Sequence, residues 1–395
     1  MFEKMSKGKS GPLVGYKILE IAGIGPGPFA SMILADLGAT VIRVDKASSV
    51  SQRSLDNSTS ANFAKTDILN RNKYSIGVDL KSEEGVTVVM DLVKNSDALL
   101  EGFRPNVTEK LGIGPESCLK VNPKLVYGRM TGWGQVGPMS QCAGHDINYI
   151  ALSGVLSAIG RKGEPPVPPL NLVGDFGGGG MFLVVGMLAA LLEAQRTGVG
   201  QIVDAAMVDG SAVLSAMIYG FYATGLWTEN KGENLLDTGA HFYEVYETKD
   251  NKFMSVGCIE PQFYAEFLKL AQIEDPDFKS QWDRTKWPEL KEKLKIVFKE
   301  KTRQEWTEIF AGSDACTVPV LTMQEAHLNE HNSMRATFVE KDGVLQPSPA
   351  PRFSNSELKI TSSPVMPGAN TTEILGELGY KENKIKDLME SGAVK

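Results

Sequence analysis

Two strand–helix–strand patterns near the start of the chain constrain its fold more than any other sequence feature. Residues 17–22 form a short apolar stretch, a glycine- and proline-rich turn and an amphipathic segment follow, and residues 40–44 are again strand-like. Residues 74–80, 84–94 and 98–101 repeat the pattern. Parallel strands need crossovers of this kind. The sequence therefore predicts an α/β fold with a Rossmann-like parallel sheet in a large domain.

Further strands and two apolar helices complete the predicted large domain. Residues 125–130 and 201–205 are strand-like, and residues 181–194 form an almost entirely apolar helix, which predicts burial on all sides. Residues 207–227 have the pattern of a second long helix, rich in Met, Tyr and Phe. Such a stripe usually belongs to a core, but methionine side chains also adapt to an acyl chain, and both interpretations stay open.

A smaller α+β domain is predicted after a polar linker at residues 228–239. Residues 242–247 and 252–257 have the pattern of paired strands, and amphipathic helices follow at 261–271, 287–299 and 303–311. A proline-rich segment at 347–351 then carries the chain back, and a last helix is predicted near 371–378. The predicted domains are residues 1–225, residues 226–335, and residues 336–395 as a return to the large domain.

Charge and cysteine usage argue against several classes of function. The 395 residues carry a net charge of −7, with 41 basic groups scattered among 48 acidic ones, so no nucleic-acid partner is expected. The four cysteines lie far apart, which favours neither a disulfide framework nor a metal site. The longest apolar run, residues 181–192, is too short to cross a bilayer, so no membrane span is expected.

The segment from residue 144 to residue 180 carries the candidate chemistry. His145 stands beside the carboxylate of Asp146, and Asp175 is followed, after one residue, by four glycines. A histidine begins with a pKa near neutral pH, and burial brings an aspartate towards it, so the two can exchange protons with one carbon. From these residues alone, a structural histidine and a helix N-cap aspartate are equally open interpretations.

The turn after the first strand also permits a dinucleotide-binding interpretation. Glycines follow the strand, but their spacing is not Gly-x-Gly-x-x-Gly, and Pro26 and Pro28 lack backbone donors that a pyrophosphate needs. Arg43 and Lys46 flank Asp45, and cations there suit a phosphate better than a ribose hydroxyl. An ordinary solvated charge pair around Asp45 is the alternative.

Three longer motifs resemble one known family. Residues 143–149 (Ala-Gly-His-Asp-Ile-Asn-Tyr), 168–176 (Pro-Pro-Leu-Asn-Leu-Val-Gly-Asp-Phe) and 256–264 (Val-Gly-Cys-Ile-Glu-Pro-Gln-Phe-Tyr) are similar to the alpha-methylacyl-CoA racemases. The resemblance runs from about Gly11 to Leu388. The wider superfamily, the family III CoA transferases of the CaiB/BaiF type, is similar at the Gly-Asp pair and at residues 196–201. Its transferase members generally lack Gly-His-Asp, which makes His145 the discriminating residue.

The resemblance implies a fold, a dimer and a set of site residues. Two subunits of the family III fold interlock like links, so a homodimer is expected. His145, Asp175 and Glu260 are the expected catalytic residues, with Asn171 and Asp146 in support. Contacts with CoA and substrate are expected from Arg43, Lys46, Val78, Asp79, Leu80, Lys81, Arg104, Gly144, Ile147, Asn148 and Tyr149.

The implied activity is racemisation of a 2-methylacyl-CoA thioester. His145 would take the α proton from one enantiomer and Asp175 from the other, through an enolate whose oxygen is held by N–H groups at helix N-termini near Asp146 and after Asp175. Glu260 would fix the tautomer of His145, and Asn171 would hold Asp175. Neither a cofactor nor a metal is expected, since coenzyme A is part of the substrate.

Two other functions stay open from the sequence. In a CoA transferase, the Asp175 carboxylate would attack the thioester and form a mixed anhydride, and the histidine would be dispensable. An acyl-CoA-binding protein without turnover would leave the pairing of His145 with Asp175 unexplained.

The compartment and the pathway are expectations of the resemblance. The family implies branched-chain fatty acid and lipid metabolism. Residues 393–395 are not a Ser-Lys-Leu type address. Cytoplasm is therefore the default expectation, with mitochondria or peroxisomes as the alternative in a eukaryote.

Overall fold

A computed structural model describes residues 3–53 and 64–395 of the chain. Contacts divide the chain into two compact units, one of Met1–Ser153, Leu170–Leu214 and Ser333–Lys395, the other of Gly154–Pro169 and Ser215–Asn332. The sequence analysis assigned residues 154–169 and 215–225 to the large domain. They lie instead with the second unit, where Arg161 makes a two-pronged ion pair with Glu244, both N···O distances being 2.9 Å.

The first unit is built on a six-stranded sheet. Its strands are β1 (Lys17–Ile21), β2 (Thr40–Lys46), β3 (Lys73–Val78), β4 (Ala98–Glu101), β5 (Val126–Thr131) and β6 (Ile202–Ala206). They lie in the order β3-β2-β1-β4-β5-β6, and all neighbouring pairs are parallel. The order reverses between β1 and β4, and ligands of such sheets bind in the crevice at that reversal. The predicted Rossmann-like sheet is confirmed.

Helices cover both faces of this sheet. Leu19 and Ile21 of β1 belong to one apolar core cluster and Ile18 belongs to another, as expected when alternate side chains point to opposite faces. The helices up to β6 and directly after it are α1 (Glu3–Ser6), α2 (Pro26–Asp36), α3 (Ala47–Arg53), α4 (Glu83–Lys94), α5 (Val107–Lys110), α6 (Pro115–Val121), α7 (Asp146–Leu152), a π-helix (Leu172–Met181), α8 (Phe182–Thr197) and α9 (Met207–Leu214).

The second unit combines a small antiparallel sheet with helices, as the sequence pattern predicted. Strands β7 (Tyr243–Glu247), β8 (Phe253–Gly257) and β9 (Thr317–Pro319) lie in that order. The helices are α10 (Ala216–Ala223), α11 (Pro261–Leu270), α12 (Trp287–Phe298), α13 (Arg303–Phe310), α14 (Met323–Ala326) and α15 (Glu330–Met334). Aromatic side chains dominate the core, and Phe267, Phe298 and Trp306 are almost completely buried.

The returning segment lies along the outer edge of β3. It contains a hairpin, β10 (Phe338–Lys341) and β11 (Val344–Pro347), and two helices, α16 (Thr371–Glu377) and α17 (Glu382–Glu390). Asn370 Oδ1 accepts the Ser75 backbone N–H at 3.1 Å, and the Lys395 N–H donates to the Gly77 carbonyl at 2.9 Å. These bonds tie the segment to the first unit.

Several local predictions differ from the structure. Helix α7 ends at Leu152, because Gly154 takes a φ of 86° and breaks it. The single helix predicted for residues 207–227 is divided into α9 and α10 at Ser215. The helix N-cap interpretation of Asp175 does not hold, because Asn171 occupies the N-cap position of the π-helix and Asp175 lies within it.

The apolar helix α8 is not buried on all sides, contrary to the sequence prediction. Its Val185 and Leu192 side chains are 60% and 68% exposed. Together with the π-helix, it forms a helical stretch from Leu172 to Thr197 that is long and apolar enough to cross a membrane by length and composition alone. The core helix of a soluble protein passes the same test, so this stretch is weak evidence for a membrane span.

Candidate active site

A cavity of about 710 Å³ opens at the point where the strand order reverses. Loops that follow β1, β4 and β5 form its walls, as the crevice rule for parallel sheets predicts. The lining contains both predicted acid/base residues, His145 and Asp175. The other lining residues are Ile21 to Pro28, Leu100, Gly102 to Pro105, Met130 to Trp133, Ser140, Cys142 to Gly144, Tyr149 and Met207.

His145 occupies the N-cap position of α7, with its side chain exposed towards the cavity. Its backbone N–H donates to Asn148 Oδ1 at 3.0 Å. The preceding residue packs so tightly that only glycine fits, because a Cβ on Gly144 would lie 2.7 Å from Tyr149 Cε1 and 3.0 Å from Trp133 Cζ2. Tyr149 also donates its hydroxyl hydrogen to the Gly144 carbonyl at 2.5 Å. These contacts fix the turn that presents the imidazole.

Asp175 is half-buried near the start of the π-helix and is held from three sides. Asn171 Nδ2 donates to Asp175 Oδ2 at 3.2 Å, which is the contact expected from the sequence. The Asp175 backbone N–H donates to Asp146 Oδ2 at 2.7 Å. The adjacent Phe176 ring stacks on Phe29 of α2, with centroids 4.5 Å apart. The carboxylate therefore has a defined position in the cavity wall.

The pKa of Asp175 is raised above its ordinary value. Burial in the cavity wall is the main cause, and the negative charge of Asp146 adds to it. The hydrogen bond from Asn171 and the nearby His145 act in the opposite direction. A carboxyl group whose pKa is raised is a better proton acceptor and donor near neutral pH than an ordinary aspartate.

The sequence analysis expected enolate stabilisation from N–H groups near Asp146 and after Asp175. The N–H of Asp175 itself is bonded to Asp146 Oδ2. The first turn of α7 begins directly after His145, which lines the cavity.

A buried carboxylate supports the loop after β4. Glu101 Oε2 accepts the Phe103 backbone N–H at 2.6 Å, and Glu101 Oε1 lies 3.2 Å from Arg129 Nε. Burial raises the pKa of Glu101 to about 7. The loop carries Arg104, whose exposed side chain lines the cavity. Of the cations predicted to bind the phosphates of CoA, Arg104 is thus the one that lines this cavity.

Of the other predicted contacts with CoA and substrate, Gly144 and Tyr149 also line the cavity, and the rest lie outside its lining. Arg43 is 5% exposed and donates from Nε to Asp45 Oδ2 at 2.7 Å. Lys46 is exposed at the end of β2, and Lys81 is exposed after β3. Val78 is buried, Asp79 and Leu80 are partly buried, and Ile147 and Asn148 are exposed on α7. Their roles in binding stay predictions.

Glu260 belongs to the second unit, where it is exposed and occupies the N-cap position of α11. Its predicted hydrogen bond to the His145 imidazole stays a prediction.

The sequence analysis missed some residues of the cavity wall. Trp133 lies two residues after β5 and Met207 directly follows β6, positions that could have signalled both of them. Gly25 was also missed as a site residue. A Cβ there would lie 3.3 Å from Asp175 Oδ2, so a side chain at residue 25 would crowd the carboxylate. All four cysteines are free thiols, and within the described residues no cluster of three or more His, Cys, Asp or Glu could hold a metal ion.

Comparisons with known proteins add an independent line of evidence. The sequence profile of CoA-transferase family III matches residues 13–371. Alpha-methylacyl-CoA racemase of Mus musculus is 47% identical over 379 residues, covering 95% of this chain and 96% of its own, and that of Homo sapiens is 44% identical over 391 residues, covering 97% and 99%. Succinyl-CoA:glutarate CoA-transferase of Mus musculus is 30% identical, covering 97% and 90%. A crystal structure of a CaiB/BaiF family protein from Brucella suis superimposes with a TM-score of 0.80 at 25% identity, covering 94% and 100%.

Proposed function

The chain belongs to CoA-transferase family III, and we propose that within this family it interconverts (2R)- and (2S)-2-methylacyl-CoA thioesters. It is an isomerase acting on acyl-CoA, since relatives named alpha-methylacyl-CoA racemase are 44% and 47% identical over nearly the whole chain. One structural observation supports the reaction best, namely that His145 and Asp175 line the same cavity. A racemase needs two such groups, one for each face of the α carbon.

The proposed reaction is a proton transfer in two steps. A base breaks the bond between the α carbon and its hydrogen, and the bonding electrons pass into the thioester carbonyl as an enolate. The other of the two residues, which is in its protonated form, then donates a proton to the opposite face of the carbon. His145 is the base for one enantiomer and Asp175 for the other, and the roles reverse in the return direction.

The surroundings of each residue support these roles. The raised pKa of Asp175 brings its carboxyl group closer to the imidazole in proton affinity. Backbone N–H groups in the first turn of α7 are the proposed donors to the enolate oxygen. The thioester itself acidifies the α proton, so no metal or redox cofactor enters the proposed reaction.

Coenzyme A needs cations for its phosphates, and Arg104 is the strongest candidate, because its exposed side chain lines the cavity. Lys46 ends β2 and Lys81 follows β3, at the same carboxyl-terminal edge of the sheet as Arg104. Arg43 is already paired with Asp45, so we assign it a supporting role in this edge.

CoA transfer is the alternative, and it is supported less well. A CoA transferase is 30% identical to this chain, against 47% for the racemase of the same organism. Transfer would use Asp175 as a nucleophile that forms a mixed anhydride with the acyl group. It assigns no role to His145, which nevertheless lines the cavity beside Asp175.

Isotope exchange separates the two reactions. The protein is incubated in deuterated water with a single enantiomer of a 2-methylacyl-CoA thioester. Racemisation predicts loss of optical activity together with deuterium at the α carbon, without any acceptor acid. Retention of optical activity and of the α hydrogen, with transfer of CoA to an added carboxylate, would refute the proposal and establish the transferase.

We also propose that the protein acts as a homodimer in the breakdown of branched-chain fatty acids. The dimer is supported by the exposed apolar residues of α8. Glu260 then acts on His145 from the same or the partner subunit. The cytoplasm is the proposed compartment, with mitochondria or peroxisomes as the alternative in a eukaryote.

A further inference from the structure

Asp146 has an unusual environment for a carboxylate. It is the first residue of α7 and is 5% exposed. Its Oδ2 atom accepts the backbone N–H of Asp175 at 2.7 Å. Its Oδ1 atom is also buried and has no hydrogen-bond partner among the described residues. A carboxylate that serves only to stabilise a fold normally has both of its oxygens satisfied.

Gly174 brings this carboxylate against the backbone of the π-helix. A Cβ on Gly174 would lie 2.6 Å from Asp146 Oδ2 and 2.8 Å from Asp146 Cγ. Any side chain at residue 174 would therefore separate the two segments. The close approach joins α7, which begins directly after His145, to the π-helix that carries Asp175.

We infer that Asp146 is a positioning residue for proton transfer, because its hydrogen bond and its contact with Gly174 set the position of Asp175 relative to His145. The inference depends on the proposed acid/base roles of those two residues. Racemisation needs both groups within reach of one carbon, and small displacements of reacting groups reduce rates strongly.

The charge of Asp146 has a second, separable effect. It acts in the same direction as burial and raises the pKa of Asp175, whereas Asn171 and His145 lower it. An asparagine at residue 146 still offers an oxygen to the Asp175 N–H but carries no charge. The two effects can therefore be measured apart.

Three variants separate position from charge. Asp146→Asn removes the charge, Asp146→Ala removes the charge and the hydrogen bond, and Gly174→Ala disturbs the contact while leaving the charge. Deuterium incorporation from each enantiomer is followed across pH, together with KM. Asp237→Asn is the matched control, since Asp237 is a buried carboxylate of the second unit that accepts the Gly232 N–H at 2.7 Å.

For the enantiomer that Asp175 deprotonates, the exchange rate falls as the solution is acidified. We expect Asp146→Asn to move this acid limb of the pH profile to lower pH, because a neighbouring negative charge is lost. Asp146→Ala and Gly174→Ala should lower kcat about tenfold or more, with KM changed by less than about twofold. Asp237→Asn should leave the limb in place.

Thermal unfolding shows which variants are folded, and Gly174→Ala tests the position even where a change at residue 146 prevents folding. Folded variants with the parent kcat and the parent acid limb would overturn the inference. Failure of the parent protein to exchange the α hydrogen would instead refute the proposed function itself.

Discussion

His145 and Asp175 reach the same cavity from different surroundings. His145 is exposed at a helix N-cap, whereas Asp175 is half-buried and bonded to Asn171. Burial brings the pKa of the carboxyl group up towards that of an ordinary imidazole. The raised pKa makes the Asp175 carboxyl group a better proton acceptor than an ordinary aspartate.

Replacing His145 by alanine should abolish racemisation but not binding. One of the two acid/base groups is lost, so kcat should fall about 10²- to 10⁴-fold while KM changes little. Deuterium exchange from the enantiomer that Asp175 deprotonates should survive in part. His331→Ala, at an exposed histidine of the second unit, is the control. Racemisation of both enantiomers at the parent rate by His145→Ala would contradict the mechanism.

Replacing Asn171 by alanine should shift the pH dependence of the same step. The hydrogen bond from Asn171 stabilises the ionised carboxylate, so its loss raises the pKa of Asp175 further. The exchange rate that requires ionised Asp175 should then begin to fall at a higher pH when the solution is acidified. Profiles of deuterium incorporation against pH measure this shift. An acid limb that stays in place or moves to lower pH would show that the bond does not control Asp175.

Replacing Arg104 by alanine should weaken the binding of CoA. The loss of one charge-assisted contact with a phosphate should raise KM about tenfold, equivalent to about 1.4 kcal/mol, with kcat nearly unchanged. Raising the salt concentration should weaken the parent more than the variant. Lys110→Ala, an exposed cation on α5, is the control. An unchanged KM would place the phosphates elsewhere along the sheet edge.

The sequence predicted several residues of the cavity but not the contact that positions Asp175. The cavity includes His145, Asp175 and Arg104, which were found from their motifs and from their places after strands. The bond of Asp146 to the Asp175 N–H was beyond the sequence, because it depends on how closely Gly174 allows two distant segments to approach.

The π-helix is the element whose glycines matter most. Gly178 faces α9, and a Cβ there would lie 2.6 Å from the Ser211 backbone nitrogen and 2.8 Å from Ser211 Oγ. Gly180 faces α2 in the same way, with Phe29 Cδ1 at 2.6 Å from the Cβ position. The run of glycines lets neighbouring helices approach the segment that carries Asp175.

Replacing Gly178 by alanine should destabilise the fold. The added methyl group meets backbone atoms that cannot turn away, and overpacking of this kind costs about 1 to 3 kcal/mol. Chemical denaturation measures the change. Gly376→Ala in α16 is the matched control, since a Cβ there has open space and alanine favours a helix. Equal stability of the two variants would show that the helices adjust without cost.

Most regular elements followed from sequence periodicity, and the exceptions have local causes. Strands β1 to β6 were found, since each is an apolar run bounded by turn residues. A helix was expected to begin after Asp175, whereas the π-helix begins at Leu172, because Asn171 and not Asp175 occupies its N-cap position. The hairpin of β10 and β11 was missed because its four-residue strands are too short to show alternation.

At the scale of the whole molecule, the exposed apolar residues of the first unit indicate a partner. Val185 and Leu192 are seven residues apart, on one face of α8, and Val213 and Leu214 of α9 are 57% and 51% exposed. Apolar side chains exposed in such numbers are typical of an interaction surface. A second copy of this chain is the partner that we propose.

Replacing Leu192 by glutamate should dissociate the proposed homodimer. A charge buried in an apolar interface without a partner costs several kcal/mol, so the monomer should appear at concentrations where the parent is dimeric. Light scattering measures the mass, and Ile296→Glu, at a residue 69% exposed on α12, is the control. A fully active monomeric parent at nanomolar concentration would contradict the proposal.

The returning segment along β3 also bears on synthesis of the chain. Ser75 and Asn370, which are bonded across that edge, lie 295 residues apart. During translation, β3 therefore emerges from the ribosome long before the returning segment that covers its edge, and an unpaired strand edge promotes aggregation. Most of the second unit is the continuous stretch Ser215–Asn332, which needs no later residues to complete it. We expect this stretch to fold during translation, and the first unit to close only after the returning segment has emerged, the interval in which the nascent chain depends most on chaperones.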